Sequence, residues 1–139
     1  MAVSTKILNL ETKGNLDIVD LTARVSDAIE ISGMTSGLIN VFVPGATGSI
    51  TTVENESGLL HDLKHTFDRL IPENVGYEHN ERWGDGNGHS HVRASILGPS
   101  ITIPFSDGKM LLGTWQQVVF VDFDTRPRQR EVIVQIVGE

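Results

Sequence analysis

The 139-residue chain contains no cysteine. This absence excludes disulfide bonds, cysteine-based zinc sites and thiol nucleophiles. Histidine, aspartate and glutamate are then the side chains left to ligate a metal ion. A metal bound by this chain would therefore be held by nitrogen and oxygen atoms.

Basic charge and long hydrophobic runs are also scarce. The chain has 11 Lys and Arg residues against 18 Asp and Glu residues, a formal net charge of -7. It therefore presents no overall basic field to nucleic acid or an anionic membrane. No apolar run approaches the roughly 20 residues of a membrane span, and residues 1–10 lack the pattern of a signal peptide. We expect a cytoplasmic protein with neither nucleic acid nor a membrane as a partner.

The remaining composition is typical of a globular domain. Hydrophobic residues make up 39% of the chain and charged residues 21%, and the mean hydropathy is -0.07. A chain of this length and composition is expected to bury a two-layer core without needing a second domain. We therefore treat residues 1–139 as one domain.

Strand-like segments precede, separate and follow two predicted helices. This order lacks the regular strand and helix alternation of a parallel sheet, so we expect an α+β fold with an antiparallel sheet or sandwich and two main helices. A turn at residues 13–15 predicts that the first two strands form a hairpin. The predicted strands are residues 5–10, 15–20, 38–43, 49–53, 92–97, 100–104, 116–123 and 131–137.

Capping residues and helix breakers set the bounds of the two helices. The first is expected to begin at Thr22 and to end near Gly33. The second is expected to begin at Ser57 and to end before Pro72. Leucines recurring with Phe67 at helical spacing form its predicted buried face.

Three histidines of residues 78–93 form the main candidate site. His89 and His91 are two residues apart, so on an extended strand both rings would leave the same face. The glycine-rich residues 84–88 would let the chain fold back and bring His79 to them. Three imidazoles leave one coordination position open, as in a catalytic zinc site. The alternative is an ordinary turn followed by a solvated strand face.

Charged residues near these histidines are candidates for catalysis. Arg93 would share the strand face of His91 and could hold an anionic substrate group against the metal. Any of Glu78, Glu81 and Asp85 could accept a hydrogen bond from an imidazole or act as a base on bound water. Glu54 either caps the following helix or points into the site, and capping is the default.

Uncharged polar residues are candidates for substrate binding. Thr114 and Gln116 flank Trp115, which is most simply a core residue, and could line a pocket on the opposite face of the strand. Asn87 in the glycine-rich segment is a third candidate.

Two other patterns of histidine and arginine are present in the sequence. His61 and His65 lie at i and i+4 on one helix face, but Asp62 stands where the zincin motif needs Glu, so a solvent-facing pair is favoured. Alternating arginines at 126, 128 and 130 would suit a phosphate-bearing ligand, although a charged strand edge is the favoured interpretation.

Four motifs occur in one order along the chain: Tyr77-Glu78-His79-Asn80, Asp85-Gly86-Asn87-Gly88-His89-Ser90-His91, Leu97-Gly98-Pro99-Ser100 and Gly113-Thr114-Trp115-Gln116. In these motifs the chain resembles the YjbQ family, also called UPF0047, whose members are named secondary thiamine-phosphate synthase enzymes. The resemblance implies a compact α+β fold, a homotrimer and a metal site formed by three histidines, which match His79, His89 and His91. It also implies a weak activity that joins a pyrimidine pyrophosphate to a thiazole phosphate.

The chain departs from the family pattern at one motif. Many members carry His-Thr-Thr-Ala where this chain has Gly45-Ala46-Thr47-Gly48, so Gly45 replaces a histidine. Glu54 matches the acidic position of the family and is retained.

Together these features predict a metal-dependent enzyme for a small phosphorylated or anionic substrate. The three histidines would hold a divalent ion, zinc, while Arg93 neutralises substrate charge and Glu54 or Asp85 moves protons. The alternatives are a metal-dependent hydrolase of a small anionic metabolite and a non-catalytic trimer that binds a metal or ligand.

Overall fold

Two antiparallel sheets carry the fold of the computed structural model, which describes Met1–Glu139. The α+β class is confirmed, with four helices in place of the two main helices predicted. The elements in chain order are β1 (Ala2–Thr12), β2 (Asp17–Asp20), α1 (Thr22–Ser32), β3 (Gly37–Phe42), β4 (Gly48–Val53), α2 (Ser57–Leu70), α3 (Glu78–Trp83), α4 (Gly88–Leu97), β5 (Ser100–Ser106), β6 (Lys109–Met110), β7 (Gln117–Asp122) and β8 (Arg128–Gly138).

The first two strands lie in different sheets, so the predicted opening hairpin is wrong. One sheet has the order β1-β8-β3-β5-β6 and the other the order β2-β7-β4. Three successive residues, Gly14, Asn15 and Leu16, adopt positive φ angles and turn the chain from the first sheet to the second. β1 then pairs along its whole length with β8, from Ala2 opposite Gly138 to Thr12 opposite Arg128. The long β1–β8 pairing satisfies far more backbone groups than the short hairpin would.

The main core lies between α1 and the inner faces of the sheets. Val25, Ala28 and Ile29 are the buried residues of α1, at the spacing that the sequence predicted. They belong to an 18-residue apolar cluster that includes Ile39 of β3 and Val134 of β8. A smaller cluster around Phe67, Val119 and Phe123 joins α2 to the other side of the three-stranded sheet. None of the four helices is long and apolar enough to cross a membrane.

Residues 92–97 were predicted as a strand but form the second half of α4. The buried residues of α4 include His89, Arg93 and Ala94, and the spacing of four residues from His89 to Arg93 belongs to a helix rather than a strand. The Asn87 carbonyl accepts hydrogen bonds from the backbone N–H groups of Ser90 and His91, which starts the helix. A short apolar run cannot be assigned to strand or helix by periodicity alone.

The N-terminus of α2 is capped by Glu56 rather than by Ser57 or Glu54. The Glu56 carboxylate accepts hydrogen bonds from the backbone N–H groups of Gly58 and Leu59. Glu54 is exposed, and its side chain makes no hydrogen bond. The favoured capping role therefore belongs to the carboxylate two residues later.

A Glu56→Ala substitution is expected to lower the free energy of unfolding by about 1 kcal/mol, because two N–H groups of the first helical turn lose their acceptor. Urea unfolding measures this change. Glu54→Ala is the matched control and should change it by less than about 0.5 kcal/mol. A larger loss in the Glu54 variant than in the Glu56 variant would reverse the assignment.

Candidate functional site

Two of the three predicted histidines, His79 and His91, lie side by side. Their ring centroids are 4.6 Å apart, with the ring planes tilted by 51°. His79 belongs to α3 and His91 to α4, and the two helices meet closely where the Asn80 side chain accepts a hydrogen bond from the Gly88 N–H at 2.8 Å. A Cβ at Gly88 would lie 2.7 Å from the Cβ of Tyr77, so only glycine permits this approach.

A neighbouring carbonyl oxygen orients the ring of His91. The Nδ1 of His91 lies 3.0 Å from the Ala46 carbonyl oxygen and must donate to it, because a carbonyl can only accept. This tautomer leaves Nε2 of His91 with a lone pair and no hydrogen-bond partner. The Nδ1 of His79 lies 3.3 Å from Oδ1 of Asp85, but the two atoms do not form a hydrogen bond. We call His79, His91, Asp85 and Ala46 the paired-histidine site.

His89 points away from this pair. Successive residues of a helix are rotated by about 100°, so side chains two apart diverge by about 200°. The strand geometry predicted for His89 and His91 is therefore wrong. His89 is 2% exposed, and its Nδ1 is buried without a hydrogen-bond partner. It lines a different cavity of about 510 Å³, together with Asn15, Leu16, Lys64, Asp68, Pro72, Glu73, Asn74, Arg93 and Phe123.

No group of three or more His, Asp and Glu side chains is placed so that it could hold a metal ion. The histidine rings of the paired-histidine site come together, and the third predicted ligand lies across α4 from them. The residues of one chain thus do not assemble the three-histidine centre. Metal binding by this segment stays a prediction.

The burial of His89 makes the stability of the fold pH-dependent. Burial lowers the pKa of His89 by disfavouring the charged ring, and Arg93 adds to this effect while Glu73 opposes it. Below the ordinary histidine pKa of about 6.5 the unfolded chain binds a proton that the folded chain binds only at lower pH. Stability attributable to His89 is therefore lost as the pH falls below this value.

We expect a His89→Gln variant to lose less stability than the wild type between pH 7.5 and pH 5, because the amide does not titrate in this range. Unfolding by urea at several pH values gives the two slopes. His61→Gln is the control, since His61 is exposed on α2 and should leave the wild-type slope in place. Parallel pH profiles for wild type and His89→Gln would contradict the expectation.

Arg93 lies on the face of α4 that carries His89, not His91. It is 5% exposed, and its Nε and Nη2 donate to the Ile71 carbonyl at 3.0 and 2.7 Å. Nη2 also lies 3.3 Å from Oδ1 of Asp68. The guanidinium thus satisfies the carbonyl end of α2. The expected position of Arg93 beside His91 is corrected accordingly.

A cavity of about 450 Å³ adjoins the paired-histidine site at Asp85. Its lining brings the glycine-rich segment against the chain between β7 and β8. The Asn87 amide, in the orientation that its neighbours favour, donates to both carboxylate oxygens of Asp85 at 2.9 and 3.2 Å. We call this the arginine cavity, and its lining residues are Asp85, Asn87, Asp124, Thr125, Arg126 and Arg128.

The alternating arginines have three different environments. Arg126 is exposed and has no carboxylate partner, whereas Arg128 pairs with Asp124 at 2.9 Å. Arg130 is buried and donates two hydrogen bonds of 2.9 Å to Asp122, which is itself 0% exposed. The expected charged strand edge is wrong, because β8 lies between β1 and β3 and Arg130 is buried against Asp122.

The buried Arg130–Asp122 pair anchors the loop that orients His91. Nη2 of Arg130 donates to Oγ1 of Thr47 at 2.8 Å, and that hydroxyl donates to Asp124 at 3.2 Å. Burial alone would raise the pKa of Asp122, but hydrogen bonds from Arg130 and Thr12 outweigh it and the pKa is lowered. The ionised Arg130–Asp122 pair therefore fixes, through Thr47, the loop that holds the Ala46 carbonyl.

Three further predicted site residues, Glu54, Thr114 and Gln116, lie at the end of the three-stranded sheet that is far from the paired-histidine site. β4 pairs with β7 from Gly48 opposite Asp122 to Val53 opposite Gln117, a span of about 17 Å at ~3.3 Å per residue. Gln116 donates to Thr52 at 3.1 Å near the far end. One chain therefore does not bring these candidates, namely Glu54, Thr114 and Gln116, to the paired-histidine site. Trp115 beside them is 73% exposed, contrary to the core position predicted.

The remaining histidine pair behaves as expected. The rings of His61 and His65 lie 4.3 Å apart on α2, and both residues are exposed. The solvent-facing interpretation is confirmed.

Comparison with known proteins gives consistent results over nearly the whole chain. A family model described as "UPF0047 protein YjbQ-like" matches residues 6–139. A UPF0047 protein of Methanothermobacter thermautotrophicus is 40% identical over 139 residues, 100% of this chain and 95% of that protein. The UPF0047 protein Rv2556c of Mycobacterium tuberculosis is 36% identical over 137 residues, 97% of this chain and 98% of that protein.

Solved structures share the same fold. A YbjQ-like protein of unknown function from Sulfolobus solfataricus, SSO2532, matches with a TM-score of 0.89 and 28% identity, covering 99% of this chain and 100% of that one. A YjbQ/UPF0047 protein from Clostridium acetobutylicum matches with a TM-score of 0.87 and 34% identity, covering 95% and 99%.

Proposed function

The chain belongs to the YjbQ-like UPF0047 family, and we propose that it is an enzyme for small phosphorylated metabolites, with a thiamine-phosphate-synthase-like transfer as its reaction. The proposed site combines the paired-histidine site with the arginine cavity. It omits His89 and Arg93, which face the other side of α4.

The observation that supports this proposal is the histidine pair, with the ring of His91 held by a carbonyl, beside a cavity lined by an arginine that makes no salt bridge. The Nδ1 of His91 is committed to the Ala46 carbonyl, so Nε2 is available to exchange a proton. Asp85 lies beside the Nδ1 of His79 and also lines the arginine cavity. A proton-transfer group and an anion-binding group thus share one site.

Arg126 is the anion-binding group of this site. It lines the cavity and has no carboxylate partner, whereas the positive charge of Arg128 is already balanced by Asp124. A guanidinium matches phosphate oxygens with paired hydrogen bonds. In the proposed transfer the ring nitrogen of the thiazole phosphate forms a bond to the methylene carbon of the pyrimidine, and the bond from that carbon to pyrophosphate breaks, so that pyrophosphate leaves with the electron pair. Arg126 would neutralise the charge of the leaving pyrophosphate while a histidine exchanges a proton with it.

The zinc ion expected from the sequence has no place in this mechanism. A catalytic zinc site uses three protein ligands, and the structure gathers no such group. The proposed steps therefore use the imidazoles, Asp85 and Arg126 alone.

We also propose that the chain forms a homotrimer. The outer face of the five-stranded sheet carries four large apolar side chains that are 37–63% exposed, namely Val3, Ile7, Leu38 and Phe42. The pairing register of β1 and β3 with β8 places these four side chains on one surface. Another copy of the chain could bury that surface. Sedimentation velocity is expected to give three times the chain mass of 15.2 kDa. A single monomeric species would contradict the trimer.

Complementation of a thiamine auxotroph tests the proposed function. The wild-type gene is expected to restore growth, and the His79→Ala variant is expected to fail because the paired-histidine site is broken. His61→Ala, which alters an exposed histidine of α2, is the matched control and should restore growth like the wild type. Equal growth with His79→Ala and wild type, at equal protein levels, would contradict a catalytic role for the pair.

A further inference from the structure

The cavity of about 510 Å³ that His89 lines is bounded by α2, by α4 and by the turn between β1 and β2. We call it the His89 cavity. It shares no lining residue with the arginine cavity, and neither His79 nor His91 lines it. Its volume is within the range of about 300–1,000 Å³ that small-molecule sites occupy. The proposed transfer reaction leaves this cavity without a role.

Two buried side chains of α4 line the His89 cavity and keep hydrogen-bonding groups that the chain does not use. His89 is 2% exposed, and its Nδ1 has no hydrogen-bond partner. Arg93 is 5% exposed, and its Nε and Nη2 bind the end of α2 while its Nη1 makes no hydrogen bond. Buried polar groups nearly always have a partner. The unused groups therefore indicate a bound molecule that supplies one.

Free charges of both signs line the same cavity. Lys64 and Glu73 are exposed and make no salt bridge, whereas Asp68 is paired with Arg93 at 3.3 Å. One ammonium group and one carboxylate thus remain without a partner. A molecule with a single charge would be attracted by one of these groups and repelled by the other, whereas a molecule with both charges is complementary to both.

The turn at the cavity has a backbone conformation that its residues rarely adopt. Asn15 and Leu16 line the cavity and have φ angles of 53° and 66°. Such left-handed conformations are uncommon for leucine and cluster at ligand sites. The backbone N–H groups of the two residues donate to the carbonyls of Asp124 and Asp122 at 2.7 and 2.8 Å. The turn therefore gives the cavity a fixed wall.

We infer that the His89 cavity binds a small zwitterion, a molecule of amino-acid size that carries one carboxylate and one ammonium group. Lys64 and Nη1 of Arg93 bind the carboxylate. Glu73 binds the ammonium group, and the ring of His89 forms a hydrogen bond with the ligand. The inference is independent of the proposed transfer reaction, because the two sites share no residue.

Thermal unfolding in the presence of each standard L-amino acid tests the inference, with propionate and propylamine as singly charged probes. At about 10 mM, at least one amino acid is expected to raise the melting temperature by about 2 °C or more, because a ligand that binds only the folded chain stabilises it. Propionate and propylamine should leave the melting temperature in place. An equal rise with propionate would show a site for anions, and no rise with any amino acid would show no such site, so either result would overturn the inference.

Substitution of the two exposed charges tests where the amino acid binds. Lys64→Met and Glu73→Gln are each expected to weaken its binding, measured by calorimetry, by about 10-fold or more, since each removes a charge-assisted hydrogen bond. Arg69→Met and Glu30→Gln are the matched controls, because both residues are exposed and neither lines the cavity. Binding by Lys64→Met and Glu73→Gln that is as tight as binding by the controls would contradict this site.

The imidazole signals of the wild type locate the ligand without any substitution. Titration of the ¹⁵N-labelled protein with the stabilising amino acid should shift the ring signals of His89 and leave those of His79 and His91 in place. Shifts of His79 and His91 without a shift of His89 would place the ligand in the paired-histidine site and would overturn the inference.

Discussion

An Arg130→Met variant is expected to have a free energy of unfolding about 3–5 kcal/mol lower than that of the wild type, because it leaves a buried carboxylate without its partner. Asp122 is 0% exposed and accepts two of its hydrogen bonds from Arg130. The substitution also removes the donor to Thr47, which fixes the loop that holds Ala46. Guanidinium unfolding measures the loss.

Arg126→Met is the matched control for this variant. Arg126 lies four residues earlier, is exposed and has no carboxylate partner, so its loss should change the free energy of unfolding by less than about 0.5 kcal/mol. Equal stability of Arg130→Met and Arg126→Met would show that the buried pair does not hold the fold.

The difference in the free energy of unfolding between wild type and Arg130→Met should become smaller at acidic pH. The lowered pKa of Asp122 gives the wild type stability that is present above the ordinary aspartate pKa and is lost as the pH falls through the lower folded value. In Arg130→Met the carboxylate keeps its burial but loses its main partner, so it protonates at higher pH. The stability deficit of the variant is therefore expected to be greatest near neutral pH and to shrink below about pH 4.

The second large effect is expected on catalysis. Replacing His91 with alanine should lower kcat/KM of the proposed transfer by about 10²–10⁴-fold, the range of a single general acid or base. Steady-state kinetics with the pyrimidine pyrophosphate and the thiazole phosphate measures the change. His65→Ala, which alters an exposed histidine of α2, should leave the kinetics unchanged.

Arg126→Ala is expected to differ from His91→Ala in its kinetic signature. A guanidinium that holds the phosphate in both ground and transition states contributes mainly to binding, so KM should rise with a smaller change in kcat. If His91→Ala altered neither parameter, the proposed proton transfer would be wrong.

Periodicity predicted the helix α1 and most strands because their burial follows from short-range patterns. The apolar residues of α1 recur at helical spacing, and Gly33 ends the helix in the left-handed conformation. The pairing of the strands could not be predicted from such short-range patterns. The partner of β1 is β8, at the other end of the chain, and nothing in the local pattern of residues 1–20 specifies it.

Only part of the candidate site was predicted, because local patterns did not give the right secondary structure around the histidines. The sequence paired His89 with His91, on the assumption of an extended strand, and added His79 as the third member of the site. In the helix Gly88–Leu97 the same spacing sends the two rings to opposite sides. The assignment of one short element thus decided which histidines share a site.

The burial of Arg130 could have been predicted from the pattern of charged residues in the sequence. Asp122 and Asp124 alternate across a turn from Arg128 and Arg130, and carboxylates in an apolar strand such as β7 need partners when they are buried. Asp122 and Asp124 are thereby taken by Arg130 and Arg128, and Arg126 makes no salt bridge. This was the signal in the sequence for the arginine cavity.

The central claim is that the paired-histidine site and the arginine cavity bind a phosphorylated ligand, and a titration with inorganic pyrophosphate tests it directly. The chain has five histidines, which ¹⁵N-labelled imidazoles resolve in long-range ¹H–¹⁵N spectra. We expect the ring signals of His79 and His91 to shift along one saturable curve that Arg126→Ala weakens, while those of His61 and His65 stay in place. Shifts confined to His89, or no shift of any histidine, would contradict the account.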